Sequence, residues 1–196
     1  MFIVAGLGNP GNEYSENRHN VGFMCIDRIH SLHSFPSWKK KFSAEISEKH
    51  LDDIRIILLK PQTFMNLSGK SLIEVINFYK LSLQNCLIIH DELDLSLGIL
   101  RLKTGGGDAG HNGLKSISEK CGKNYKRLRI GIGRPPNKEY VIKHVLSDFY
   151  PSEQSVLFPI LDNIARHIPL LVKKEDDLFL NYVVQRQELS SKIISL

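Results

Sequence analysis

Short apolar runs alternate along this chain with stretches of helical spacing. Phe2–Leu7 is a continuous apolar run with β-branched members, ended by glycines, which is the pattern of a buried strand. Ser15 or Asn17 stands where a cap would open a helix to about His33, with Val21, Cys25 and Ile29 on one face. The segment around Pro36 breaks it. After Lys39-Lys40-Lys41, the alternation Phe42, Ala44, Ile46 predicts a half-buried strand, which Asp52-Asp53 turns back into Ile54–Leu59 as a hairpin. Pro61 ends that strand. Met65-Asn66-Leu67-Ser68 then opens a second helix, with Ser68 as its cap and Leu72, Ile73, Ile76 and Tyr79 facing the core.

Cys86–His90 predicts a short buried strand that delivers Asp91 at its carboxyl end. Ile99–Lys103 can pair as another strand before the glycine loop Gly105–Gly113. A helix follows to about Cys121, with Gly122 just past its end, and Leu128, Ile130 and Ile132 alternate as a last strand. The final third is helical by pattern. Pro151-Ser152 fits a helix start, Pro159 and Pro169 are expected to end or kink that helix, and Asp176–Leu189 to form a terminal one. Strands alternating with helices, plus one hairpin, predict an α/β fold: a single-domain, three-layer sandwich with a mixed central sheet surrounded by helices.

Composition narrows the class. With 196 residues and 42% apolar content, one domain over 1–196 can bury a sizeable core. There is no basic leader followed by an apolar stretch, and no uninterrupted apolar run approaches the roughly 20 residues of a membrane span, so a soluble cytoplasmic protein is expected. Cys25, Cys86 and Cys121 lack metal-ligand spacing and sit among apolar neighbours, as small buried hydrophobes do. The net charge of +5 is unevenly distributed. Residues 99–145 carry eleven Lys/Arg and three acids, whereas the remainder carries fifteen against eighteen. A basic excess confined to one segment suggests a patch for a polyanion.

Three polar segments fall at the carboxyl ends of predicted strands, where open α/β sheets gather ligands: Asn9, Asp91, and the glycine loop leading to His111-Asn112. His19 lies in or just before the first turn of a helix. His19 and Asp91 are the natural base and orienter, since a carboxylate on one imidazole nitrogen leaves the other to take a proton from water. His90 would point to the opposite face of its strand from Asp91 and is expected to be structural, while His111 either touches a ligand or braces Asn112. Asn9, Asn66 and Asn112 open three separate segments. Their carboxamides can hold a peptide-like group or a developing oxyanion without carrying charge. Gly6, Gly8 and Gly11 spell the dinucleotide pattern G-x-G-x-x-G, but the loop is lengthened by Pro10, Asn12 and Tyr14, and Asp27 falls inside a predicted helix, which argues against that use. Metal hydrolysis lacks H-E-x-x-H or Cys pairs, and a serine nucleophile lacks G-x-S-x-G. Water activated by a His/Asp pair remains.

Five ordered motifs over residues 2–135 carry a resemblance: Gly6-Leu-Gly-Asn-Pro-Gly with Tyr14 and Arg18-His-Asn-Val-Gly22; Pro61-Gln-Thr-Phe-Met-Asn-Leu-Ser-Gly-Lys70; His90-Asp-Glu-Leu-Asp-Leu95; Gly110-His-Asn-Gly-Leu-Lys115; and Arg127-Leu-Arg-Ile-Gly-Ile-Gly-Arg-Pro135. Together they resemble bacterial peptidyl-tRNA hydrolase. The resemblance implies a cytosolic, monomeric esterase without cofactor or metal, which cleaves the bond between a stalled peptide and the tRNA 3′ ribose. By the same resemblance His19 activates water and Asp91 holds His19, with Asn9, Asn66 and Asn112 on the peptide and reacting carbonyl, and Tyr14 and Met65 lining the site. Lys103, Arg129 and Lys138 contact phosphate near the acceptor end and 3′ CCA, and a mobile lid lies near 134–150. One departure is Asp108-Ala109, where the family commonly has further glycine, which puts a negative charge near the phosphate contacts. Two other readings are a non-catalytic structured-RNA-binding relative, which would not need both His19 and Asp91, and a general esterase, which would not need the basic segment.

Overall fold

The computed structural model describes residues 1–183. Among them, the central strands β1 (Phe2–Gly6), β4 (Ile54–Pro61), β5 (Cys86–Glu92) and β7 (Lys126–Gly131) run parallel to one another. The strands β2 (Lys39–Lys41), β3 (Ala44–Leu51) and β6 (Leu100–Thr104) add antiparallel edges. The order across the single sheet is β2-β3-β4-β1-β5-β7-β6. Helices α1 (Val21–Leu32) and α5 (Pro151–Val172) cover one face, and α2 (Ser68–Tyr79) and α3 (Asn112–Cys121) the other. The short helix α4 (Val141–Val145) has no fully buried residue and touches the core under α1 and α5 only through half-buried Val145.

The three layers follow from the two-residue period of the strands. In β4, Ile56 and Leu58 enter the core under α1 and α5, while Ile57 and Leu59 enter the one under α2 and α3, and all four are essentially inaccessible. Burying a side chain of this size is worth about 1.5–3 kcal/mol. Central strands therefore read as unbroken apolar runs, because both faces are covered.

Three local expectations change. Phe42 belongs to a turn: Phe42 and Ser43 have φ of 58° and 50°, linking β2 to β3 with Lys41 opposite Ala44. The unfavourable left-handed backbone at Phe42 is accompanied by ring packing on Phe78 (5.0 Å) and Tyr79 (6.1 Å). Neither Ser15, Asn17 nor Ser68 caps a helix through its side chain. Ser15 and Ser68 donate to the carbonyls of Asn12 and Met65, and Asn17 donates to Asp148. Third, α5 continues through both Pro159 and Pro169. Proline at 169 leaves the Ala165 carbonyl without its helical donor, and His33 Nε2 supplies a replacement at 2.8 Å. The apolar stripe Leu157, Leu161, Ile164, Ile168 and Leu171 buries against α1 and the sheet, so the helix survives although each proline weakens it. By length and composition α5 could cross a membrane, but that stripe belongs to the core. Residues 176–183 are helical, anchored by buried Phe179 and Val183, and the rest of the predicted terminal helix lies outside the described residues.

Candidate active site

The first wall is built by close packing. A Cβ on Gly6 would run into the Gly22 carbonyl, and one on Gly22 would lie 2.5 Å from the Ile89 carbonyl. These glycines let β1, β5 and α1 touch, and that contact leaves no room there for a dinucleotide's phosphates. Beyond them the chain is locked by a reciprocal pair: Asn9 N donates to Asn20 Oδ1 and Asn20 Nδ2 donates to Asn9 O, both at 2.9 Å. Asn9 Oδ1 accepts from Met65 N at 2.8 Å, which leaves its amide nitrogen available. Asn20 escaped the sequence reading, although a buried polar residue beside His19 was the available signal.

His19 sits in a 3-10 turn, Arg18–Asn20, just ahead of α1. Its Nδ1 lies 2.9 and 3.0 Å from the two oxygens of Asp91, which β5 carries at its carboxyl end. Asp91 has a second partner. His111 Nε2 reaches Asp91 Oδ1 at 3.0 Å, while His111 Nδ1 accepts from the amides of Gly113 and Leu114 and so caps α3. An acceptor Nδ1 requires the hydrogen on Nε2, so the tautomer of His111 follows from the network. His111 therefore both braces the turn at Asn112 and supports the carboxylate, a link that only the fold displays.

The protonation states follow from these contacts. Burial opposes charge on Asp91, but His19 and His111 outweigh it and hold the carboxyl well below its usual range. Burial likewise opposes a charged His19, yet the adjacent Asp91 charge and hydrogen bond raise its pKa above the ordinary value. His90 lies on β5 with its Nδ1 on the Asp91 carbonyl. Burial, aided by His111, pushes it down to about 3, so it stays neutral. The expected structural role of His90 agrees with this.

Donor atoms of His19, Asp91 and His111 come within 4.8 Å of one another, as a metal site would require. They are already spent: both imidazole nitrogens that face Asp91 donate to it, and the other nitrogen of His111 accepts two amides. A cation there would have to displace that network, so the residues do not fit a resident metal.

His19, Asp91, His111 and Asn112 line one cleft with Glu92, Ala109 and Gly110, and Val141, Ile142 and Val145 of α4 form its opposite wall. Asn66 and Asn112 are exposed, and their carboxamides take no hydrogen bond among the described residues. Tyr14 stands edge-on to Phe64 at 6.4 Å. Met65 is buried, its sulfur lying where a Cβ on Gly113 would go.

The basic segment is more paired than its charge suggests. Arg127 is buried and donates to the carbonyls of Gly106 and Gly107, while Lys126 and Arg134 pair with Asp176 and Asp94. Arg129 is held by Glu92, with Nε at 3.0 Å and Nη2 at 2.9 Å, which offsets much of its charge. Lys103 and Lys138 are exposed with no ion pair among the described residues. Arg101, opposite Arg129 in the β6–β7 register, is exposed on the same face and was overlooked. The alternation of Arg101 and Lys103 along β6 was the signal for it.

Comparisons with known proteins bear on the family and the fold. The family model described as Peptidyl-tRNA hydrolase matches residues 3–191. A peptidyl-tRNA hydrolase of Bartonella quintana is 54% identical over 185 residues, covering 94% of this chain and 96% of that protein. One from Rhizobium leguminosarum is 53% identical, covering 93% and 75%. The crystal structure of peptidyl-tRNA hydrolase from Acinetobacter baumannii superposes with a TM-score of 0.88 at 38% identity, covering 93% of this chain and 94% of that one. A match over nearly the whole length, on the same mixed sheet, places the chain in the peptidyl-tRNA hydrolase family.

Proposed function

We propose that His19 is the general base of this chain's hydrolysis of peptidyl-tRNA, with Asp91 as its orienter. The chain cleaves the ester between a peptide and the tRNA 3′ ribose, which returns free tRNA to translation. The observation that carries the residue assignment is the pairing of His19 Nδ1 with both Asp91 oxygens, which leaves Nε2 unengaged in the cleft. A water there gives its proton to Nε2 as its oxygen attacks the ester carbonyl. Asp91 stabilises the resulting imidazolium, and the same nitrogen returns the proton to the departing 3′ oxygen. The carboxamide of Asn112 and the free amide nitrogen of Asn9 supply N–H groups to the oxyanion and the peptide carbonyls, and Asn66 binds the peptide at the mouth beside Tyr14 and Met65.

The acceptor end and 3′ CCA of the tRNA lie along the β6–β7 edge, with phosphates against Lys103, Arg129 and Lys138. Residues 134–150, including α4, form a lid over the cleft. The enzyme works as a cytoplasmic monomer and needs no cofactor. His19→Ala is expected to lose about 10²–10⁴-fold in turnover on N-blocked aminoacyl-tRNA. Wild-type turnover in that variant would remove the mechanism. Lys103→Ala is expected to weaken tRNA binding and to flatten its salt dependence by about one unit of log–log slope. Undetectable hydrolysis beside salt-sensitive binding of structured RNA would make this chain a binding relative instead.

A further inference from the structure

The segment carrying His19 is joined to the lid by one buried guanidinium. Arg18 is 2% exposed. Its Nη1 donates to Ser147 Oγ at 2.7 Å, to the Ser147 carbonyl at 3.2 Å and to the Asp148 carbonyl, and its Nη2 pairs with Glu153 Oε2 at 2.5 Å. The guanidinium carbon lies 5.2 Å from the centre of the Phe149 ring and 5.4 Å from that of Tyr150. Neighbouring bonds close the same clasp: Arg18 N to Ser147 O at 3.0 Å, Phe149 N to Glu16 O at 3.2 Å, and Asn17 Nδ2 to Asp148 Oδ1 at 2.7 Å.

The placement of this clasp gives it more than a stabilising effect. On one side, the residue after Arg18 is His19. On the other, Ser147 Oγ donates to the carbonyl of His144 in α4 at 2.8 Å, so a single hydroxyl connects the guanidinium to that helix. Helix α4 has no fully buried residue, and half-buried Val145 is its one apolar side chain packed on the core, so its own packing fixes its place only weakly. Its polar anchors both lie near its C-terminal end, at His144: the clasp reaches the His144 carbonyl, and His144 Nε2 lies on the carbonyls of Ile132 (3.2 Å) and Gly133 (3.0 Å). Yet Val141, Ile142 and Val145 of α4 line the cleft that contains His19. The separation between base and lid therefore depends on Arg18. A guanidinium suits this because its planar fork reaches Ser147, Asp148 and Glu153 at once, whereas an ammonium presents donors from one point.

We propose that Arg18 is a positioning residue, which sets the spacing between His19 and the lid helix and thereby the geometry in which the ester meets the base. This rests on the reading of His19 as the base. Displacement of groups by about 1 Å from a productive geometry can cost about 10²-fold in rate. The loss should therefore fall mainly on kcat rather than KM.

The test uses Arg18→Gln, Arg18→Lys and Ser147→Ala beside His19→Ala in the full chain, assayed well below the Tm of each variant. Hydrogen exchange of the amides of residues 141–146 is followed in parallel. Expected are a kcat about tenfold or more below wild type in Arg18→Gln, a partial recovery in Arg18→Lys, and faster exchange across 141–146 in both, but not in His19→Ala. Ser147→Ala, which leaves the arginine in place, is expected to change lid exchange and kcat in the same direction by less. If Arg18→Gln stays within about twofold of wild type while His19→Ala is inactive, the inference fails and the base assignment stands. A kcat loss with unchanged lid exchange also overturns it, since a fold staple alone gives that pattern. Should Arg18→Gln not fold, Arg18→Lys and Ser147→Ala decide by the same criteria. Wild-type turnover in His19→Ala would instead overturn the underlying mechanism.

Discussion

The loop after β1 and the loop before α3 are both glycine-rich, and each delivers a histidine to Asp91, yet glycine serves them differently. Around the first, an added Cβ is blocked where the loop meets the core: at Gly8 it would lie 2.6 Å from the Phe23 ring, and at Gly22, in the first turn of α1, it would meet the backbone of Leu7 and of Ile89 in β5. In the second, a Cβ at Gly107 or Gly110 would meet nothing within 4 Å, and it is the backbone conformation at Gly110, with φ of 78°, that favours glycine. Close packing holds the first loop in one place, which suits a base that must keep its distance from a carboxylate. The second is held at points, by Arg127 on two carbonyls and by Asp108 on Ser118 Oγ at 2.6 Å. Asp108 is thus turned inward, with Arg127 Nη2 3.8 Å away, which tempers the charge the sequence placed near the phosphate contacts.

Removing the point where both arms meet should have the largest effect. Asp91→Asn keeps the shape but takes the charge from both histidines, and kcat is expected to fall about 10²–10⁴-fold. The pH profile carries the sign. As the proposed base, His19 must be neutral to act, so activity is expected to fall as pH drops through its raised pKa. Without the carboxylate, burial is left to dominate, and this acid limb should move to lower pH while the plateau falls. An unmoved limb would mean that His19 is not the group titrating.

Next comes Gly22→Ala, where backbone on both sides cannot yield. It should destabilise the protein by about 3 kcal/mol, the upper end for overpacking, which for this length is a Tm drop on the order of 6–12 °C. A comparable effect follows from pH through His90. Its folded pKa of about 3 lies below the unfolded value, so the unfolded chain binds the extra proton. Stability should decline as pH falls from about 6.5 towards 3. From about pH 3.8 downward the depressed Asp91 carboxyl adds its own loss, because the unfolded carboxyl protonates first. Urea midpoints measured against pH should show the decline between 6.5 and 3 diminished in His90→Gln.

The smallest effects test the open arm. Gly110→Ala should cost about 1 kcal/mol for its left-handed backbone, and Gly107→Ala should stay within about 0.5 kcal/mol of wild type in thermal melts. If Gly107→Ala destabilised as much as Gly22→Ala, the contrast between the two loops would be lost.

Much of this could be read along the chain. The strand ending in Asp91, the placement of His19 ahead of α1 and the glycine stop at Gly122 depend on near neighbours and on periods of two or 3.6 residues. The prolines of α5 could not be judged in this way. The donor that replaces the missing amide opposite Pro169 comes from His33, 132 residues from its acceptor Ala165. Nor could the pairing of Arg129 with Glu92, since the charge of a segment says nothing about which of its cations are already engaged.

By itself, then, the sequence determined the elements, their layering and which polar residues stand at the strand ends, because those depend on local pattern. Tertiary structure alone decided that two histidines share Asp91, that Asn20 locks Asn9, and that Arg18 spans 129 residues to Ser147. A hydrogen bond requires two atoms about 3 Å apart with suitable direction, and for residues distant in sequence only the packed sheet and helices bring them there.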